Sequence, residues 1–249
     1  MMTSDFGRNR ILRLLPLDEA EQLGRILEPV TLRFREPIYT NGKPVEYVYF
    51  PLTGMISVVM DMEGGQTVEA ATIGREGMVG LSAFWGSPKS VWRVLSQIAG
   101  DALRAPVEIF SQSIGQEGTA FNRLLRQYTV AFVAALAQTA ACNRLHSLEQ
   151  RMCRWLLTTS DRVGADEFPL TQDFLGQMLG VRRPSVSLAG AALQDAGLIK
   201  YTRGRIAIVN RTGLEAASCE CYGIVRRHHE EALDEAPDDV ASHPMEARV

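Results

Sequence analysis

Two short runs in this chain carry pointed chemistry. One is "VRRPSVS", residues 181–187, where two guanidinium groups and two hydroxyls crowd the start of a helical pattern. Arginine can give two parallel hydrogen bonds to one acceptor edge, and a serine hydroxyl both donates and accepts, so the run is equipped to recognise a polyanion. The other is "CEC", residues 219–221, followed by His228 and His229. Thiolates and imidazoles bind metals, but zinc sites usually separate paired cysteines by two to four residues. Read as one helix, the run points the sulfurs of Cys219 and Cys221 to different faces, which predicts bystander thiols and no metal.

The elements around the arginines give them a direction. The stretch "FPLTQDFLGQMLGVRRPSVSLAGAALQDAGLI", residues 168–199, reads as two short helices. Thr171 is a good N-cap, Phe174, Leu175, Met178 and Leu179 line one face, and Gly180 closes the first helix. The second begins near Arg183-Pro184, where proline is tolerated because a first-turn N–H has no helical partner. Val186, Leu188, Ala192 and Leu193 are its expected buried side. Helix, short glycine-containing turn and helix make the helix-turn-helix form, whose second helix enters the major groove by its first turn. Thr171, Gln172, Arg182, Arg183, Ser185 and Ser187 are then the candidate DNA contacts, with arginine suited to guanine and serine to phosphate or base. The following hairpin turns at Arg203-Gly204 and adds Lys200, Arg203 and Arg205 as a wing along the backbone.

Charge supports this placement. Residues 1–143 hold 13 Lys+Arg against 14 Asp+Glu, residues 144–229 hold 12 against 8, and residues 230–249 hold 1 against 7. The basic block coincides with the helix pair, which favours a polyanion partner in spite of a net charge of −3. The acidic end, residues 231–249, is expected to be a disordered tail. Mean hydropathy near zero, no apolar run long enough for a bilayer and four irregularly spaced cysteines predict a cytoplasmic protein with reduced thiols and no membrane contact. No Gly-rich phosphate loop in a βα context, nucleophile elbow or paired His/carboxylate motif is evident, so an enzyme is not expected.

Upstream, alternating segments separated by turns at residues 41–43 and 63–65 predict an antiparallel roll. From about Val107 the pattern becomes helical. Phe121, Leu125, Tyr128, Phe132, Ala135, Thr139 and Cys142 fall on one stripe, approximating a heptad seam, and are the expected dimer contact. A helix packed only on its own roll is the competing reading of that stripe. His146 is taken as a polar packing residue.

Over residues 14–210 the chain resembles the CRP/FNR family of bacterial transcription regulators, most specifically in "LTQDFLGQMLGVRRPSVSLAGAALQDAGLI" and the "RGRI" that follows. The resemblance implies an α+β fold: an N-terminal antiparallel, jelly-roll-like β-roll sensor (residues 14–110), a long dimerisation helix (111–146) and a C-terminal winged helix-turn-helix (147–215). It also implies a homodimer on a pseudo-palindromic double-stranded DNA operator, with RNA polymerase as a further partner. A ligand-binding signalling module acting through protein contacts is the alternative. Family members read bases through an Arg, a Glu beside it and an Arg four residues beyond that Glu. Here Arg183 matches the first, but Pro184 and Leu188 stand at the other two, so the family's best-known operator is not expected.

The resemblance also points to an effector site around Gly80, Leu81, Lys89, Ser90 and Arg93. In cyclic-nucleotide members a Gly-Glu pair holds the ribose. With Gly80 as that glycine, Leu81 replaces the glutamate, and with Gly77, Met78 does. Neither can accept hydroxyl protons, so cyclic AMP is not expected. No cysteine precedes Cys142 and no histidine precedes His146, so neither an iron–sulfur cluster nor haem is expected in the roll, and the sequence predicts no cofactor.

Overall fold

A computed structural model of the chain describes residues 5–113 and 118–234. Helices α1 (Arg10–Arg13) and α2 (Leu17–Gly24) lead into seven strands: β1 (Glu28–Leu32), β2 (Pro37–Tyr39), β3 (Tyr47–Pro51), β4 (Met55–Asp61), β5 (Thr67–Ile73), β6 (Arg93–Ile98) and β7 (Gly100–Pro106). A short helix, α3 (Leu81–Phe84), separates β5 from β6. The strands form two antiparallel sheets, ordered β1–β7–β3 and β2–β6–β4–β5, which is the expected roll. Alternation sorts the side chains of β4: Ile56 and Val58 enter the roll core, while Met55 and Val59 join a second core on the other side.

After α4 (Val107–Ser113) comes the long helix α5 (Ala120–Leu145), 26 residues. Its start is capped twice. Thr119 Oγ1 accepts the Asn122 N–H at 3.1 Å, and the Glu19 carboxylate accepts the N–H groups of Ala120 and Phe121, both at 2.8 Å. A carboxylate there satisfies orphaned donors and sits at the positive end of the helix dipole.

The face of α5 expected to meet a second copy is turned inward. Phe121, Leu125, Tyr128, Phe132 and Ala135 are buried within the single chain, with the Phe121 ring 6.1 Å from Phe50 and 5.7 Å from Phe110. Thr139 is half-buried, and Cys142 is buried against Cys219 and Cys221. The physical reason is volume: the roll needs aromatic bulk to fill its core, and this stripe carries it. The opposite face exposes Val130 and Val133, at 71% and 57%, together with Arg126, Ala137, Ala140 and Arg144. That second stripe also repeats at alternating spacings of four and three.

Helix α5 ends at Leu145, and His146 is extended (φ −105°, ψ 150°) before Ser147 and Gln150 form a capping box for α6 (Leu148–Val163). Next come β8 (Glu167–Pro169), α7 (Gln172–Leu179), α8 (Arg183–Asp195), β9 (Ile199–Thr202) and β10 (Arg205–Ile208), the strands ordered β8–β10–β9. Helices α9 (Arg211–Ala217) and α10 (Cys221–Asp234) complete the described chain, and α10 packs back along α5. Residues 231–234, expected in a disordered tail, extend α10, and residues 235–249 lie outside the described residues.

The two parts share a core. Met55, Val59, Leu95 and Ile98 of the roll pack with Trp155, Leu156, Phe174 and Leu175 of the C-terminal part. Polar groups are set into this contact. The Glu69 carboxylate accepts from Ser57 Oγ at 2.7 Å and from Trp155 Nε1 at 2.9 Å, and Arg162 Nε donates to Glu76 at 2.8 Å. Burial pushes the Glu69 carboxyl up to about 7 in spite of the hydrogen bonds from Ser57 and Trp155.

Candidate nucleic-acid interface

The helix pair forms from local chemistry. Thr171 Oγ1 accepts the Phe174 N–H at 3.2 Å, and Gly180, in the left-handed region at φ 67°, closes α7. The turn is tight: a Cβ on Gly176 would lie 2.9 Å from the Val181 carbonyl oxygen. Arg182 is the N-cap residue of α8, its carbonyl accepting the Ser185 N–H at 3.0 Å while its own side chain stays in solvent. Val186, Ala189, Gly190 and Leu193 face the core, leaving Arg182, Arg183, Pro184, Ser185, Leu188, Ala191 and Ala192 outside. Two of the expected buried residues are therefore on the wrong side. Leu188 is 74% exposed and Ala192 is exposed, because the helical phase set by Val186 puts Ala189 and Leu193 inward.

Of the other candidates, Ser187 Oγ donates to Gln172 Oε1 at 2.6 Å, which ties the two helices together. Arg183 lies 3.7 Å from Asp173, and Arg205 lies 2.6 Å from Glu167, all four side chains more than half exposed. Exposed pairs of this kind contribute about 0–1 kcal/mol, so a phosphate or base edge can compete for either arginine. The wing turns at Arg203 (φ 46°) and Gly204 (φ 78°), a two-residue turn with both central residues left-handed, as the right-handed twist of a hairpin prefers. Lys200, Arg203 and Arg205 are all exposed on it.

Three of the five expected effector residues share one cavity, and Lys89 and Arg93 lie outside it. Gly80, Leu81 and Ser90 line a cavity of about 10 Å³ inside the roll, shared with Met78, Trp92 and Phe132, room for about one water. Ser90 Oγ donates to the Trp92 carbonyl at 2.8 Å, Lys89 is exposed, and Arg93 reaches Asp61 at 2.6 Å and 2.7 Å.

The expectation of no cofactor is overturned at the far end of α5. Cys142, His146, Cys219 and Cys221 each present one ligand atom within 4.8 Å of all the others, a set that could hold a metal. Cys142 Sγ lies 3.6 Å from Cys219 Sγ, and His146 Nδ1 lies 3.5 Å from Cys221 Sγ. A hydrogen bond from Cys219 brings the Cys142 thiol down to about 5, while the same contact and burial push Cys219 up. The two sulfurs can converge because "CEC" is not one helix: α9 ends at Ala217, Ser218 is extended, and Cys221 opens α10. The histidines that follow in sequence stay away from the cluster: His229 is buried beside the Tyr128 ring and His228 is exposed. The missed signal was Cys142-x3-His146, two ligands one helical turn apart.

Comparison with known proteins finds the same arrangement of roll, long helix and winged helix-turn-helix in solved structures. Residues 150–217 match the family model of the Crp-like helix-turn-helix domain. The "Global nitrogen regulator" of Synechocystis sp. is 22% identical over 201 residues, covering 76% of this chain and 88% of that protein. The structure of FixK2 from Bradyrhizobium japonicum superposes with a TM-score of 0.66 at 20% identity, covering 78% of this chain and 98% of that one. A CRP/FNR-family transcriptional regulator of Thermus thermophilus gives 0.56 at 19% identity, covering 77% and 98%. Residues 150–217 are thus a Crp-like helix-turn-helix domain, and 77% of the chain shares the fold of the Thermus CRP/FNR-family regulator. The relatives described by role are regulators, not enzymes. Among the described residues no helix is long and apolar enough to cross a membrane.

Proposed function

We propose that this protein is a homodimeric, sequence-specific transcription regulator that reads a pseudo-palindromic DNA operator with the first turn of α8 and grips the backbone with the wing. The observation that carries this is the exposure of Arg182, Arg183 and Ser185 at the amino end of a helix whose other face is packed. Leu188 stands one turn further on the same outer face, suited to the methyl group of thymine. Thr171 and Gln172 flank the helix pair where a phosphate would pass, and Lys200, Arg203 and Arg205 supply the wing. The second copy of the chain is assigned to the Val130, Val133, Ala137 and Ala140 face of α5, whose small side chains let two helices approach closely. Half-sites then fall about 34 Å apart, one turn of DNA.

The close packing around Gly80 and Ser90 supports a roll that takes no cyclic nucleotide without repacking. The division into a sensor of residues 14–110, a connecting helix and a DNA-binding part of residues 147–215, and contact with RNA polymerase, rest on the family resemblance. A DNA partner and four buried free cysteines support a cytoplasmic location.

Fluorescence anisotropy on the protein's own upstream DNA tests the reading. Affinity should fall steeply with salt. Arg183→Ala should weaken specific binding by about 1–3 kcal/mol, roughly 5- to 150-fold, and flatten discrimination at one base position. Undiminished binding by that variant would remove α8 from the readout.

A further inference from the structure

We propose that Cys142, His146, Cys219 and Cys221 form a tetrahedral site for a single thiophilic divalent cation of the zinc class, which clasps the end of α5 to the joint between α9 and α10. This goes beyond DNA reading and does not depend on it.

The distances choose the metal chemistry. A tetrahedral ion with metal–sulfur bonds of about 2.3 Å holds two sulfurs about 3.8 Å apart, and a sulfur and an imidazole nitrogen slightly closer. Cys142 Sγ to Cys219 Sγ is 3.6 Å, and Cys221 Sγ to His146 Nδ1 is 3.5 Å. An iron–sulfur cluster puts its own irons and sulfides between the ligands and needs them further apart than the 4.8 Å that bounds this set. Three cysteines and one histidine are also a donor set used by closed, structural zinc sites.

The surroundings are those of a metal site. With Nδ1 facing the cluster, His146 offers Nε2 to the Glu220 carboxylate at 3.2 Å. That carboxylate–histidine contact fixes the ring and the tautomer that leaves Nδ1 as a ligand. Gln138 Nε2 donates to Cys221 Sγ at 3.0 Å, the kind of bond that steadies a ligating thiolate. Binding one dication replaces the thiol protons, which pass to solvent, so a site with three thiolates carries a net charge of −1. Arg151 and Arg154, in the first two turns of α6, exert an electrostatic pull on the cluster that would offset this charge.

The position gives the site a consequence. His146 is the extended residue at which α5 stops and the DNA-binding part begins, so a bound ion would fix that break to the C-terminal helices. The ion would act as a clasp on the joint between sensor and reader.

The test uses the full chain, reduced and then equilibrated with Zn²⁺ or Co²⁺ and dialysed. One metal per chain by elemental analysis is expected, with Co²⁺ giving tetrahedral visible bands and a sulfur-to-cobalt charge-transfer band. Cys142→Ser and Cys219→Ser should abolish stoichiometric binding, whereas Cys153→Ser, which alters a thiol outside the cluster, should retain it. Because a buried cysteine variant can fail to fold, Glu220→Ala is the second arm: its side chain is 67% exposed, and the variant should fold normally yet bind metal about 10–100-fold more weakly. Substoichiometric metal, a cobalt spectrum without sulfur ligation, or binding unchanged in Cys219→Ser and Glu220→Ala would overturn the proposal.

Discussion

The roll interior and the contact between the roll and the helix-turn-helix part are both well buried, yet they are built on different physics. Inside the roll, Phe50, Phe110, Phe121 and Phe132 interlock with aliphatic side chains, and the cavity left beside Gly80 is about 10 Å³. At the contact, aliphatic side chains surround Glu69, Ser57 and Gln97, and the Arg162–Glu76 pair lies beside them. An apolar core has one good packing and no switchable component. A buried polar network is stable only while every partner is in place and in the right protonation state. The difference teaches where this molecule can change: the roll is closely packed, whereas its contact with the helix-turn-helix part holds a buried carboxyl that titrates at about 7.

The largest effect should come from opening the closely packed roll. Phe121→Ala removes a fully buried ring between Phe50 and Phe110 and should cost about 3–5 kcal/mol, independent of pH. A chemical denaturation midpoint at two pH values checks it, and a loss below 1 kcal/mol would show that α5 is not part of the roll core.

The contact should respond to pH. Folding raises the Glu69 carboxyl from 4.5 to about 7, so the folded protein keeps a proton that the unfolded chain releases. Its stabilising contribution is complete below the unfolded value and is lost as pH rises through about 7. The full swing is about 3 kcal/mol. Glu69→Gln keeps the size and the hydrogen-bonding oxygen, so it should match the parent near pH 5 and be more stable at pH 8. Equal pH slopes for parent and variant would remove Glu69 as the source.

How much of this was legible in the sequence follows the range of the interactions. The helix pair and the wing were readable because Thr171, Gly180 and the Arg203-Gly204 turn act on neighbours within a few residues. The inner and outer stripes of α5 were confused because both repeat at heptad spacing. Only side-chain volume separates them: aromatics fill the roll, while Val130, Val133 and alanines face out. The Glu19 cap on α5 and the cysteine–histidine cluster bring together residues about 75 or more apart in the chain, beyond any local pattern.

The smallest effect concerns the wing, where reading and folding can be separated at one residue. Arg203 holds a left-handed backbone conformation that costs a side chain bearing Cβ about 1–2 kcal/mol, and asparagine tolerates it better. Arg203→Asn should therefore leave the fold as stable as before or slightly more so, while removing one cation from the hairpin. If the wing follows the backbone, binding should weaken equally on specific and unrelated DNA, and the slope of log affinity against log salt should shrink by about one. A loss confined to the operator would instead mean that Arg203 reads a base edge, most simply in the minor groove. An unchanged slope would leave α8 as the sole contact and make the wing a brace for the helix pair.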